Sequence, residues 1–319
     1  MKVLITGITG NVGSHLADYI LENKPDIDLY GIARWRSPLD NIVHIKDKIN
    51  LILADLNDLN SMIEAMSSIK PDIIFHLAAQ SFVQFSFVAP AETLNTNIIG
   101  TANLLESIRL TKINPKIHIC SSSEVYGQVN KDEIPINETN PFRPASPYAV
   151  SKVAEDMLGY QYYLSYNMHI VRTRMFTHTG PRRGDVFAES WFAKQIALVE
   201  NKIISNPIKV GNLKSVRTIM DVRDAVKAYW IMMEKSDPGE VYNIGGIKTV
   251  TIEDILTKLI EYSNSKIEYI VDPSLLRPSD VTLQIPNTEK FKKLTGWEPK
   301  ISYEDTLLDL LNYHREKLK

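Results

Sequence analysis

Apolar residues in the first half of the chain follow two alternating rhythms. Short β-branched runs at Val3–Thr6, Leu29–Ala33, Leu51–Ala54, Ile73–His76 and Ile117–Ser121 have the length and near-continuous hydrophobicity of strands buried on both faces. Between them the apolar positions recur at helical spacing, most clearly over Ala91–Leu110. This alternation predicts βαβ units and a parallel sheet covered by helices on both sides. Right-handed crossovers leave a doubly wound α/β sheet as the expected architecture.

The rhythm changes after about Arg174. Pro181, Arg182, Arg183 and Gly184 open an irregular stretch, and helical spacing returns over Glu189–Asn201. Val222–Lys235 reads as a helix, Val241–Ile244 as a strand and Ile252–Tyr262 as a helix, and Pro273, Pro278, Pro286 and Pro299 punctuate the C-terminal region. The expected division is a nucleotide-binding domain over 1–175, with returning segments within about 216–246. Residues 176–319 then form mainly a smaller C-terminal substrate-binding lobe.

Composition narrows the function classes. Hydrophobic residues at 44% and charged residues at 23% are the balance of a globular chain in water. A formal net charge of -2 offers no bulk attraction to nucleic acid or to a membrane, and neither is expected as a partner. Cys120 is the only cysteine, so no intrachain disulfide forms, which fits a reducing compartment. Its neighbours Ile117 and Ile119 predict a small buried side chain rather than a reactive thiol. The start MKVLITG has no leader pattern, and the expected location is the cytoplasm. No spacing of His, Cys and carboxylates suggests a metal site.

Two constellations carry chemistry. Gly7, Gly10 and Gly13, in Thr6–Gly13, directly follow the first strand and precede a helix. Glycines so spaced allow a tight turn, close approach of backbone to a pyrophosphate, and close helix–strand packing. The helix N-terminus offers free N–H groups and a positive dipole end to phosphates. The second strand runs into Arg34, Trp35, Arg36 and Ser37, with no acid until Asp40. An acid there would hold a ribose 2′-hydroxyl, whereas guanidinium forks suit a 2′-phosphate, so NADP is expected rather than NAD. The bland alternative is a pair of solvated surface arginines.

The second constellation pairs Tyr148 with Lys152, four residues apart on one helix face. An ammonium beside a phenol stabilises the phenolate and equips it as a base. Ser121–Gly127 lies at the C-terminal end of the fifth strand, the edge that lines the ligand crevice in open α/β sheets. Ser122 there offers a hydroxyl to a substrate oxygen, and Glu124 offers a second acid/base. A polar turn with a solvated carboxylate is the competing reading of that segment.

These motifs, with Asp55-Leu56, His76–Gln80 and Asn97–Thr101, resemble the extended short-chain dehydrogenase/reductases, built on a Rossmann sheet, over essentially the whole chain. Phe176–Gly184, Val210–Leu213, Arg277–Val281 and Gly296–Pro299 resemble the branch holding GDP-mannose 4,6-dehydratases and GDP-4-keto-6-deoxy-mannose reductases. The resemblance implies an NADP site built from Gly7, Thr9, Gly10, Asn11, Val12, Gly13, Arg34, Arg36, Asp55, Leu56, Leu77, Ala78, Ala79, Tyr148 and Lys152. It implies catalysis by Ser122, Glu124, Tyr148 and Lys152. A GDP-sugar would be held by Ser81, Ser86, Thr177, Arg183, Asn212, Arg217, Arg277 and Asp280, with Arg182 a further candidate for the diphosphate. His76 and His178 are expected to pack or hydrogen-bond structurally. Asparagine usually stands in this branch where Thr177 stands, and Arg-Asp where Arg217-Thr218 stands. The expected reaction is dehydration of GDP-mannose. The runners-up are 4-keto reduction, sugar-nucleotide epimerisation, and a cofactor sensor, which would need no proton relay. A homodimer or homotetramer is expected, paired through Leu94–Leu110 and Ser146–Tyr166.

Overall fold

The computed structural model describes residues 1–319. Its strands are β1 (Lys2–Thr6), β2 (Asp28–Ala33), β3 (Asn50–Leu53), β4 (Ile73–His76), β5 (Lys116–Ser122), β6 (Ile170–Met175), β7 (His178–Thr179), β8 (Ile208–Val210), β9 (Val216–Asp221), β10 (Val241–Ile244), β11 (Lys248–Thr251), β12 (Tyr269–Val271) and β13 (Leu283–Gln284). Its helices are α1 (Asn11–Asn23), α2 (Leu59–Ile69), α3 (Val83–Val88), α4 (Pro90–Leu94), α5 (Gly100–Thr111), α6 (Pro147–Tyr166), α7 (Ala188–Glu200), α8 (Val222–Lys235), α9 (Ile252–Glu261), α10 (Glu289–Thr295) and α11 (Tyr303–Glu316). All six strands and the helices expected from the periodicity are present, with ends shifted by at most a residue or two. One internal difference matters: a π turn at Asn95–Ile99 interrupts the helix read over Ala91–Leu110.

Seven strands form one sheet in the order β10-β6-β5-β4-β1-β2-β3, and every neighbouring pair is parallel. Side chains alternate between its faces. Val3 and Ile5 join Leu16, Ile20, Val226 and Tyr229 beneath α1 and α8. Leu4 points the other way, to Met62, Met66, Leu104 and Ile108 under α2 and α5. Both faces are therefore dry, which explains why the strands read as continuous apolar runs. This is the doubly wound Rossmann sheet. Chain order reverses between β1 and β4, which places a crevice outside their carboxyl ends.

The remaining elements build a second core. α7, α9 and α11 bury Phe192, Ile196, Leu256, Leu259, Leu307 and Leu311 together. Beside them β11, β9 and β13 form a small sheet that β7 joins through β9, and β12 pairs with β8. Contacts across the crevice tie this part to the large sheet. Phe82 and Phe187 meet edge to face at 6.3 Å, and Gln84 donates to the Ser274 carbonyl at 3.2 Å. No helix is long and apolar enough to cross a membrane.

Candidate active site

A cleft of about 970 Å³ runs along the carboxyl ends of the strands, between the large sheet and the second core. Its near wall begins at the β1–α1 turn. Gly7 adopts φ +73°, and a Cβ there would approach the Ala78 nitrogen to 2.8 Å. At Gly13 a Cβ would meet the Gly7 carbonyl oxygen at 2.2 Å. Only glycine allows this turn to close and β4's exit to pass so near. α1 starts from Gly10 with no side-chain cap, so its first N–H groups stay free toward the cleft. Both polar atoms of the Asn11 side chain are buried without a partner. A glycine cradle, a free helix N-terminus and an orphaned amide are what an anionic dinucleotide would complete.

Thr9, Gly10, Val12, Arg34, Asp55, Leu56, Leu77, Ala78 and Ala79 line the same wall. Arg36 does not. Its guanidinium stacks on the exposed Trp35 ring at 4.2 Å, off the cleft, which leaves Arg34 as the cation of that wall. Two residues that the sequence motifs did not single out stand beside it. Ser37 accepts from the Arg34 backbone N–H at 3.1 Å, and Asn41 ties the region to the Thr9 carbonyl at 3.0 Å. A serine directly after the Arg-Trp-Arg run was the available signal.

The catalytic candidates meet at the cleft floor. Ser146 caps α6, accepting from the Ala149 N–H at 3.0 Å, and Pro147 follows at the first helical position. That cap fixes Tyr148 in the first turn and Lys152 one turn on, both buried against β5. The Lys152 ammonium donates to the Cys120 carbonyl at 2.8 Å and to the Glu155 carboxylate at 2.7 Å. Burial pushes the Tyr148 phenol up; Lys152 and a hydrogen bond from Ser122 pull it down. Ser122 ends β5, and its hydroxyl also accepts from the Glu124 N–H at 3.2 Å. Glu124 lines the cleft in the following turn. Burial pushes its carboxyl above the usual range, against the pull of Arg217 and Arg277.

Cys120 occupies a less buried place than its neighbours implied. It borders the cleft, and its thiol meets the Tyr229 hydroxyl at 3.1 Å. Burial raises the thiol, so it is held as a neutral group. His76 bridges Thr6 and Thr101 at 2.8 and 2.9 Å, and His178 reaches the Phe176 carbonyl at 3.2 Å.

On the far wall four of the expected sugar-nucleotide residues converge. The Asp280 carboxylate accepts from Asn212 at 2.8 Å, and Arg217 and Arg277 approach it at 3.7 and 3.6 Å. Ser215, which no sequence motif marked, joins them at 3.1 Å from Asp280. Arg183 lies over the Phe187 ring at 3.5 Å and pairs with Glu189 at 3.2 Å. Ser81 and Thr177 also line the cleft. Ser86 does not: it is fully buried within α3, donating to the Val83 carbonyl at 2.6 Å. Arg182 lines the cleft while pairing with Asp18 at 2.6 Å.

Chemically, the cleft offers a phosphate cradle beside a phenol–ammonium pair, a hydroxyl, a second carboxyl and an arginine-rich wall. Comparison with known proteins agrees with that inventory. Residues 4–310 match the family model described as GDP-mannose 4,6 dehydratase. The GDP-mannose 4,6-dehydratase of Yersinia enterocolitica is 31% identical, over 97% of this chain and 92% of that protein. The GDP-6-deoxy-D-mannose reductase of Pseudomonas aeruginosa is 29% identical, over 98% and 96%. A solved structure of RMD from Pseudomonas aeruginosa complexed with NADPH superposes with a TM-score of 0.84 at 27% identity, covering 99% of each chain.

Proposed function

The chain belongs to the GDP-mannose 4,6 dehydratase family, and from that premise we propose that it converts GDP-mannose to GDP-4-keto-6-deoxy-mannose with NADP as its cofactor. The observation that carries the reading is Glu124. A dehydratase needs a second proton-handling group beyond the tyrosine, and this carboxyl borders the same cleft as Ser122 and Tyr148. Burial raises its affinity for a proton, which suits a group that must both take and give one.

The Rossmann part, 1–175 with segments returning within about 216–246, holds the cofactor in this reading, and 176–319 mainly holds the sugar nucleotide. Gly7, Thr9, Gly10, Asn11, Val12 and Gly13 hold the pyrophosphate, and Arg34 with Ser37 the ribose 2′-phosphate. Asp55, Leu56, Leu77, Ala78 and Ala79 flank the rest of the dinucleotide. NADP bound there supplies the acceptor for the hydride lost from sugar C4 as the ketone forms and, once water has left, the donor of that hydride to C6, while a proton returns to C5. Tyr148 takes the proton of the sugar 4-hydroxyl while Ser122 hydrogen-bonds the same oxygen, and Lys152 sets the field around both. The resulting 4-ketone acidifies the C5 proton. Glu124 removes it, then protonates the departing C6 hydroxyl, which leaves as water. Arg183, Arg217 and Arg277 grip the diphosphate, and Asp280 with Asn212 holds ribose hydroxyls.

The deciding assay supplies GDP-mannose and NADP⁺ and follows the 4-keto-6-deoxy product without net consumption of NADPH. The match to nearly all of the Pseudomonas reductase favours one second reading, 4-keto reduction. A protein that makes no product from GDP-mannose but oxidises NADPH when given the keto sugar is that reductase.

We also propose a homodimer, or a homotetramer built from it. Val150, Met157, Tyr160 and Leu164 on α6 and Ile99 and Leu110 beside it are exposed apolar side chains. Two copies paired through this face would bury them in a four-helix contact. Sedimentation as a monomer at micromolar concentration refutes the pairing. The single thiol, Cys120, suits a reducing compartment such as the cytoplasm.

A further inference from the structure

Glu155 has no role in the reaction just described, yet it is 1% exposed and touches Lys152. Positions 148, 152 and 155 fall on one face of α6, the face packed on β5. Two of the three ammonium donors of Lys152 are committed, one to the Cys120 carbonyl at 2.8 Å and one to Glu155 Oε2 at 2.7 Å. The other oxygen, Glu155 Oε1, is buried with no partner. Removing a carboxylate from water is costly, and a single contact with one oxygen left unsatisfied offsets that cost poorly. Stability alone is therefore a weak reason for a carboxylate at this place.

The surrounding charges leave Glu155 to Lys152. On α6, Asp156 is engaged by both Arg172 at 2.7 Å and Arg174 at 2.8 Å from β6, so neither arginine serves Glu155. From β5 come Cys120 and His118. His118 pairs with Thr173 at 2.8 Å, and the Cys120 thiol with Tyr229 of α8 at 3.1 Å. His76 of β4 lies between two threonines. On the helices packed against α6, Glu92 is exposed and Glu106 binds Arg109 and Tyr162. Glu124 faces Arg217 and Arg277.

We propose that Glu155 is a positioning residue: it clamps the Lys152 ammonium onto β5 and offsets its charge, so that Tyr148 rests as the phenol. The proposal rests on reading Tyr148 and Lys152 as the proton-transfer pair of the proposed function. An unopposed ammonium beside the ring favours the phenolate. Burial raises the Glu155 carboxyl to about 7 against the pull of Lys152, so above that pH the pair beneath Tyr148 carries no net charge, and the pull on the phenol weakens. Consistent with this, the carboxylate of Glu155 pushes Tyr148 up while the ammonium pulls it down. Tyr148 then rests as the phenol in the free protein, and becomes the base that takes the 4-hydroxyl proton only when an oxidised nicotinamide adds positive charge to the cleft.

Ultraviolet absorbance of tyrosinate, with the Tyr148→Phe spectrum subtracted, reads this one side chain without substrate or cofactor. In the parent protein Tyr148 stays a phenol at about pH 8, below the usual tyrosine range. In Glu155→Gln its titration midpoint falls by about 1 pH unit or more, the scale of an opposite charge no longer offset. Glu155→Asp, which keeps the charge, returns the midpoint toward the parent value. In turnover the acid limb of kcat/KM moves the same way. A midpoint that stays put or rises in Glu155→Gln overturns the proposal, even if the melting temperature drops. So does a tyrosinate already present in the parent at neutral pH, a result that needs no folded variant at 155. Inactivity toward GDP-mannose with the expected midpoint shift overturns the dehydratase reading and leaves this one standing.

Discussion

A residue's spacing and its packing carry different kinds of information, and the active site separates them cleanly. Tyr148 and Lys152 were readable because four residues is a helical turn. Ser122 and Glu124 were readable because one ends, and the other directly follows, a strand whose carboxyl edge faces the crevice. Glu155 was not. A carboxylate three residues after a lysine is the usual pattern of a solvated surface pair, and only the seating of α6 on β5 buries it. Arg36 shows the converse: the pattern assigned two arginines to the cofactor, and the exposed Trp35 ring draws one away. The sharpest test at this scale is Glu124→Gln, which keeps the shape and removes the ionisable group. Dehydration should fall by roughly 10²–10⁴-fold, the range of a general acid/base, with NADP⁺ binding by titration nearly unchanged. Tyr148→Phe should abolish both dehydration and keto reduction, whereas Glu124→Gln should leave reduction of a supplied keto sugar largely intact.

At the scale of elements, the strands and helices were legible because sheet and helix burial impose different periods. The π turn was not, since one extra residue in a helical run leaves the apolar spacing nearly intact. Its effect is local and specific. It sets Asn97, whose side chain donates to Ser151 of α6 at 2.8 Å and to the Gln80 carbonyl at 3.0 Å, stitching the cleft floor to the loop after β4. The β1–α1 turn yields a direct prediction. In Gly13→Ala the new methyl would collide with the Gly7 carbonyl at 2.2 Å and the Ile8 Cα at 2.7 Å, so α1 must move off β1. Calorimetric titration should show loss of NADP⁺ binding, with circular dichroism retaining most of the helix signal. The α6–β6 contact yields another. Asp156 neutralises two buried arginines, and Asp156→Ala strands both. Denaturant unfolding should report a loss of about 3–5 kcal/mol, the cost of breaking a buried ion pair from one side.

For the molecule as a whole, six histidines, His169 among them, make stability depend on pH in a definite direction. Burial lowers His15, His178 and His314 to about 4 and His76 and His118 to about 3. In the unfolded chain each would titrate near 6.5. Above that value both states are neutral at these sites and they contribute no slope. As pH falls below about 6.5 the unfolded chain takes up protons that the folded one refuses, and each of those five sites costs about 1.4 kcal/mol per pH unit until its folded value is reached. Melting temperatures should hold steady from about pH 7 to 8 and drop steeply between about 6 and 4. A flat profile through that window would mean the histidines are hydrated. Of the second core, two helices and a change of rhythm after Arg174 were legible from sequence, whereas its short strands are too brief to show alternation. The outer strand of the large sheet has a consequence for synthesis. β6 ends at Met175, but the strand that covers its edge, β10, begins at Val241 and is hydrogen-bonded along it from Arg172 to Phe176. While a ribosome is making the intervening residues, the nascent sheet presents a bare row of backbone donors and acceptors made of wholly buried positions. That edge is open to any passing strand until the chain is three-quarters made, so a truncation before Val241 should leave a sticky, chaperone-dependent fragment rather than a free-standing nucleotide-binding domain.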